Sequence, residues 1–276
     1  MRKRTDRSLV SIKTRNLLAP CPAGIRTAAP RIGLALVVVC LTTSFSQAAS
    51  GFGEWKAMLI GTNGWHSFKK TTFPDKGWAF EPDGSLHHLP KGGGGDLISA
   101  SVTSNDFEFR WEWKIAPGGN SGVKYFVSED RPAALGHEYQ IVDDTSHPDA
   151  LRGPKWQTAS FYDVLPAITD KNLKPVGEWN MSRIVVRGNR VEHWLNGREV
   201  LRYQLGSPQV TEAIAGSKFK NVTNPVFGTK LQGHILLQDH GDEVWFRELR
   251  IRELLPSPAA APDVRGSLAT PPAPGK

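Results

Sequence analysis

Residues 107–115 read Phe-Glu-Phe-Arg-Trp-Glu-Trp-Lys-Ile, with a large apolar side chain at every odd position and a charge at every even one. A β-strand turns successive side chains to opposite faces, so strict period-two alternation demands a sheet with one packed and one wet side. A helix would scatter the same five apolar groups around its circumference. The turn residues Ala116-Pro-Gly-Gly-Asn120 follow, and residues 121–127 read as the partner strand. Residues 139–142, 183–187, 190–195, 199–203, 234–238 and 243–252 continue the pattern, and Asn196-Gly197 is a preferred two-residue hairpin turn. Helical periodicity is scarce, with room for a short turn only around Asn180 to Ser182 and within residues 207–216. No repeat of propeller or solenoid length is present. The expected fold is all-β: an antiparallel two-sheet β-sandwich.

The two ends have a different composition. Residues 1–31 are basic and polar, residues 32–41 (IGLALVVVCL) are an unbroken apolar run, and Ser46-Gln47-Ala48 offers small residues for cleavage. This order is that of a secretory signal peptide, which predicts export to the periplasm or the extracellular space. Ten apolar residues in a helix reach only about 15 Å, half a bilayer core, so no integral membrane domain is expected. Residues 256–276 are rich in Pro and Ala and carry too little apolar surface to offset ordering entropy, so a disordered tail is expected. Residues 52–255 remain as one foldable domain.

Charge and cysteine content then exclude several functions. The chain has 34 Lys and Arg against 27 Asp and Glu. Residues 1–48 hold eight of the bases and one acid, which leaves 26 of each in the rest. The body is formally neutral, which removes the electrostatic argument for a nucleic-acid partner. Both cysteines, Cys21 and Cys40, lie in the leader. The body therefore has no thiol for a disulfide, a Cys-ligated zinc or a cysteine nucleophile.

Candidate chemistry concentrates in Gly136-His-Glu-Tyr-Gln-Ile-Val-Asp-Asp144. Glu138 and Gln140 share one strand face, and a β-bulge near Val142 would bring Asp143 to the same side. Two carboxylates on one face can divide general-acid and general-base work. No His-Glu-x-x-His spacing occurs among the eight histidines, so a divalent metal assembled from Glu138, Asp143, His193 or His240 would have no sequence signature. The nine tryptophans divide by context. Trp111, Trp113 and Trp245 alternate with charge and read as core, whereas Trp65, Trp78 and Trp156 lie in polar segments and are candidate sugar platforms.

Four ordered blocks carry a resemblance. They are Asn105-Asp-Phe to Trp111-Glu-Trp-Lys with Gly119-Asn-Ser-Gly-Val123; Gly136 to Asp143; Trp179-Asn180 with Val191-Glu-His-Trp-Leu-Asn-Gly197; and Gly233-His-Ile-Leu-Leu-Gln-Asp-His-Gly241 with Val244 to Ile251. Together, over about residues 52–254, they resemble the 3-keto-disaccharide hydrolase family. The resemblance implies a concanavalin A-like jelly roll and a substrate already oxidised to a ketone at C3 of the sugar. It implies Glu138 as base, with Asp143 as its partner or a metal ligand. Gln140 would orient hydroxyls, Lys124, His193 and His240 would serve as electrophiles or metal ligands, and Glu112, Tyr125 and Gln238 would contact sugar. It specifies no cofactor and leaves room for a divalent metal ion. One departure is Glu248 after Arg247, where family members often carry Asn. A non-catalytic, lectin-like carbohydrate-binding module is the alternative, because fold does not fix function.

Overall fold

The structure, a computed structural model, describes residues 51–223 and 226–255. The expected signal peptide and disordered tail lie outside the described residues. Two antiparallel sheets face each other across a hydrophobic core, the concanavalin A-like jelly-roll arrangement. In chain order the strands are β1 (Lys56–Ala57), β2 (Trp65–Ser67), β3 (Trp78–Phe80), β4 (Leu86–His88), β5 (Leu97–Ser99), β6 (Phe107–Ile115), β7 (Asn120–Val127), β8 (His137–Val142), β9 (Asn180–Arg187), β10 (Arg190–Leu195), β11 (Arg198–Gln204), β12 (His234–Leu237) and β13 (Val244–Glu253). The larger sheet runs β11-β10-β9-β6-β13-β4-β3, with β1 on β13, and the smaller runs β2-β5-β12-β7-β8. One helix, α1 (Pro208–Ala215), starts at Ser207, whose Oγ accepts from the Val210 N–H, as its N-cap position favours. No helix of the described residues is long and apolar enough to cross a membrane.

β6 behaves as its alternation requires. Phe107, Phe109, Trp111, Trp113 and Ile115 all enter the core. Of the charged set, Glu108 is buried as well, held by Arg183 at 3.0 Å and by Arg252 Nε at 2.7 Å. The hairpin turn Asn196-Gly197 has positive φ at both residues (47° and 83°), the backbone that matches strand twist. β6 and β13 lose register between Arg247 and Arg250, and Glu248 lies in that bulge at φ 53°. Asparagine enters the left-handed region far more readily than glutamate, which gives the Glu248 departure a structural meaning.

Three tryptophans leave their expected places. Trp65 and Trp78 are buried, and their indole N–H groups donate to Met58 O at 2.8 Å and Gly95 O at 2.9 Å. Neither is a sugar platform. Trp245 pairs with Lys114 and His87 on the outer face of the larger sheet, where it stacks on the His87 ring, so it is not core.

Two of the expected site residues are also core. His193 Nδ1 lies 2.9 Å from Ala159 O, which only accepts, so Nδ1 carries the proton and Nε2 accepts from Tyr125 Oη at 2.9 Å. Tyr203 Oη then donates to Tyr125 Oη, and His137 Nδ1 donates to Tyr203 Oη at 3.0 Å. Burial pushes the His137 imidazole down to about 3 and His193 down to about 4, so both are neutral at neutral pH. This directed chain satisfies polar groups between the sheets. It corrects the readings of His193 as catalytic and Tyr125 as a sugar contact, because both point into packed protein.

Candidate active site

The side of the smaller sheet turned away from the core carries the chemistry. On β8, His137, Tyr139 and Ile141 pack inward, so Glu138 and Gln140 point outward. β7 pairs with β8 in unbroken register, from Tyr125↔His137 to Asn120↔Val142, and places Lys124 beside Glu138 and Gly122 beside Gln140. On the other flank the chain returns along β8. Tyr162 N–H donates to Glu138 O at 3.1 Å, and Ala159 N–H donates to Gln140 O at 2.8 Å. This return puts Tyr162 next to Glu138 and Ser160 next to Gln140. Beyond β7, Gln238 N–H donates to Gly122 O at 2.9 Å. Two rows therefore cross the face, Lys124–Glu138–Tyr162 and Gln238–Gly122–Gln140–Ser160.

Glu138 is 5% exposed, and no described residue donates a hydrogen bond to its carboxylate. Its nearest cation is Lys124, Nζ to Oε2 4.0 Å, and Lys124 lies equally far from Asp96 Oδ2. Burial pushes the Glu138 carboxyl above its ordinary range against the pull of Lys124. Burial likewise raises Asp96, opposed by Lys124. A desolvated carboxylate with no donor is costly to folding, and such costs collect where a base has to be reactive.

The second row is built for hydroxyl groups. Gln140 Nε2 donates to Asn120 Oδ1 at 3.3 Å, which orients the amide, while Gln140 Oε1, Gln238 Oε1 and Ser160 Oγ have no partner among the described residues. At Gly122 a Cβ would stand 2.8 Å from Glu138 Oε1. We expect Gly122→Ala to fold, since only the end of a side chain is displaced, and to lower kcat by about 100-fold through a carboxylate pushed off its position. Steady-state rates alongside a melting curve check this.

The structure thus brings together Glu138, Gln140, Lys124 and Gln238, with His240 two residues beyond Gln238. It separates the others. β8 has no bulge, and the Asp143 carboxylate is committed to its own turn, accepting from Gly118 N–H, from Thr145 N–H and Oγ1, and from Ser146 N–H and Oγ. Burial alone would raise that carboxyl, yet the bonds from Ser146, Gly118 and Thr145 outweigh it and hold it far below the usual range. Glu112 lies on the other sheet and pairs with Arg247 at 2.7 Å. The proposed ligands Glu138, Asp143, His193 and His240 are split between these places, and no cluster of three or more His, Asp or Glu suited to a metal occurs among the described residues.

Sequence reasoning missed Asp96, Tyr162, Ser160 and Lys218. Ser160 and Tyr162 are two apart, the one local hint that residues 159–162 lie alongside a strand. Trp156, a candidate platform, has the Arg152 guanidinium 4.2 Å and the Lys155 ammonium 4.5 Å from its ring centre.

Residues 54–252 match the family model described as a 3-keto-alpha-glucoside-1,2-lyase-like domain. The chain belongs to this family. Within it, a 3-keto-disaccharide hydrolase of Bacteroides thetaiotaomicron is 38% identical over 221 residues, covering 70% of this chain and 75% of that protein. Two crystal structures of proposed glycosyl hydrolases from Parabacteroides distasonis share the architecture. One has a TM-score of 0.63 at 30% identity, covering 73% of this chain and 94% of the other. The second has 0.55 at 25% identity, covering 73% and 100%. The 3-keto-alpha-glucoside-1,2-lyase-like domain of this chain spans both rows of the site and all thirteen strands except the last residue of β13.

Proposed function

We propose that this protein is an enzyme that cleaves the glycosidic bond of 3-keto-glycosides and 3-keto-disaccharides, by removal of the C2 proton followed by loss of the C1 substituent. Family membership and the named hydrolase relative support the substrate class. The observation that carries the mechanism is Glu138, a buried carboxylate without a hydrogen-bond donor beside an ammonium group. A C3 ketone acidifies the neighbouring C2–H. Glu138 takes that proton, and the C–H electron pair becomes the C2=C3 bond of an enolate as the ketone pair moves to the C3 oxygen. The pair then returns, C1=C2 forms, and the C1–O bond breaks. The aglycone leaves with that pair and is protonated by water. Addition of water across C1=C2 completes a net hydrolysis. Gln140, Gln238 and Ser160 would hold the ring hydroxyls, since burial without partners suits them to a polyhydroxylated ligand. The basic, apolar and small-residue order of residues 1–48 supports export, with the reaction in the periplasm or outside the cell.

The wild-type protein is expected to release p-nitrophenol from a p-nitrophenyl 3-keto-glucoside and to leave the unoxidised glucoside intact. A transient ultraviolet-absorbing 2-hydroxy-glucal and deuterium uptake at C2 in heavy water mark elimination. Cleavage of the unoxidised glucoside at a similar rate would overturn the reading.

A further inference from the structure

Lys218 lies just past α1, whose C-cap is Gly216. Its N–H donates to Asp163 Oδ2 at 2.7 Å, which fixes the backbone beside Tyr162. As a residue it stays exposed, but its Nζ lies 4.2 Å from the centre of the Tyr162 ring and 5.1 Å from that of Phe219. Tyr162 in turn is the direct neighbour of Glu138 across the strand pairing. The other basic groups nearby are committed. Lys124 donates to Ala134 O at 3.3 Å and stands between Asp96 and Glu138, Lys155 pairs with Asp163 at 2.8 Å, and Arg152 pairs with Asp149. The Lys218 ammonium has no carboxylate or carbonyl within bonding distance among the described residues. Its close neighbours are aromatic rings, and its three N–H donors are unassigned.

Enolate chemistry needs such a group. When the C2 proton leaves, negative charge appears on the C3 oxygen, one bond from the carbon that lost the proton. A fixed donor in a partly desolvated place is worth most where charge develops. Tyr162 is the shared neighbour of Glu138 and Lys218, so base and cation flank one aromatic residue.

We propose that Lys218 is the electrophilic catalytic residue: its ammonium donates to the C3 oxygen of the keto sugar while Glu138 removes the C2 proton. The assignment rests on the function proposed above. No proton leaves Lys218. The enolate oxygen gains the electron pair from the ketone π bond and gives it back when C1–O breaks. Partial burial lowers the Lys218 ammonium below the usual lysine range, which sharpens it as a hydrogen-bond donor.

The test uses p-nitrophenyl 3-keto-glucoside with the wild type, K218M, K218Q, K218R and the exposed control K220M. K218M is expected to lose kcat by about 10²–10³-fold with KM changed by less than about threefold, and K218R to regain about tenfold. Deuterium uptake at C2 should fall with kcat. The acidic limb of kcat/KM should move to higher pH in K218M, because removing a cation raises the Glu138 carboxyl further. A kcat loss of this size with KM held and partial rescue by K218R would not follow from a merely structural lysine. K218Q stands in for K218M where the apolar side chain prevents folding. If the wild type turns the substrate over and K218M or K218Q stays within about threefold of it in kcat, the Lys218 assignment fails and the function reading stands. A wild type inert on the 3-keto-glucoside removes both.

Discussion

Glu138→Gln is expected to lower kcat on a 3-keto-glucoside by about 10³-fold while leaving KM within a factor of a few. The amide keeps the shape and removes the base. Its stability effect runs the other way. Burial raises the folded-state pKa of Glu138 above its unfolded value. The protonated form is therefore favoured by folding, and that contribution is complete below the unfolded pKa of about 4.3 and lost as pH rises through the folded pKa. Glutamine does not titrate. The variant should melt above the wild type at neutral pH, with the gap closing toward about pH 4. The wild-type kcat/KM should rise with pH through a midpoint above the ordinary carboxylate range, as an essential base requires. A Glu138→Gln enzyme with near wild-type kcat would displace Glu138 from its role.

Asp143→Ala is expected to show the reverse profile: a large loss of stability with chemistry intact. The carboxylate accepts five hydrogen bonds from Gly118, Thr145 and Ser146, which close the turn after β8. Alanine leaves those donors to water or to nothing, at a cost of about 3 kcal/mol, since charge-assisted bonds are worth about 1.5–3 kcal/mol each and the exposed part of the turn recovers some by hydration. For a domain of this size the melting temperature should fall by about 10 °C. The folded-state pKa of Asp143 is depressed. Its contribution is therefore present above the unfolded value of about 3.9 and fades as pH falls through the folded one, so the wild-type advantage over Asp143→Ala should shrink in strong acid. The kcat of the folded variant should stay within about threefold of wild type. A kcat loss comparable to that of Glu138→Gln, with stability unchanged, would restore Asp143 to the reaction.

The contrast between these two carboxylates shows where sequence reading stops. Both lie in Gly136 to Asp144, five positions apart. Local pattern places Glu138 and Gln140 on one face, and the structure agrees. The bulge expected to recruit Asp143 is absent, because Thr145 and Ser146 supply a local set of donors that ends the strand instead. His193 illustrates a second limit. Its strand was legible, but Ala159 O and Tyr125 Oη, which claim its two ring nitrogens, come from distant segments. Lys218 and Tyr162 carried no periodic signal, since each belongs to a loop positioned by backbone bonds to Asp163 and Glu138.

Alternation and turn chemistry act between residues adjacent in the chain, so the strands from β6 onward, the Asn196-Gly197 hairpin, a helical turn within residues 207–216 and the neutral, thiol-free body could be read without coordinates. The short strands β1 to β5 could not, because two or three residues carry too little period to stand out. Which of two possible faces turns inward, and which distant loop lies over the other, are settled by the docking of one sheet on the other. That docking buries Tyr125 and His193 between layers and leaves Glu138 and Lys124 on the face turned away from the core, because hydrophobic burial selects a face and has no regard for how far apart its contributors lie in sequence.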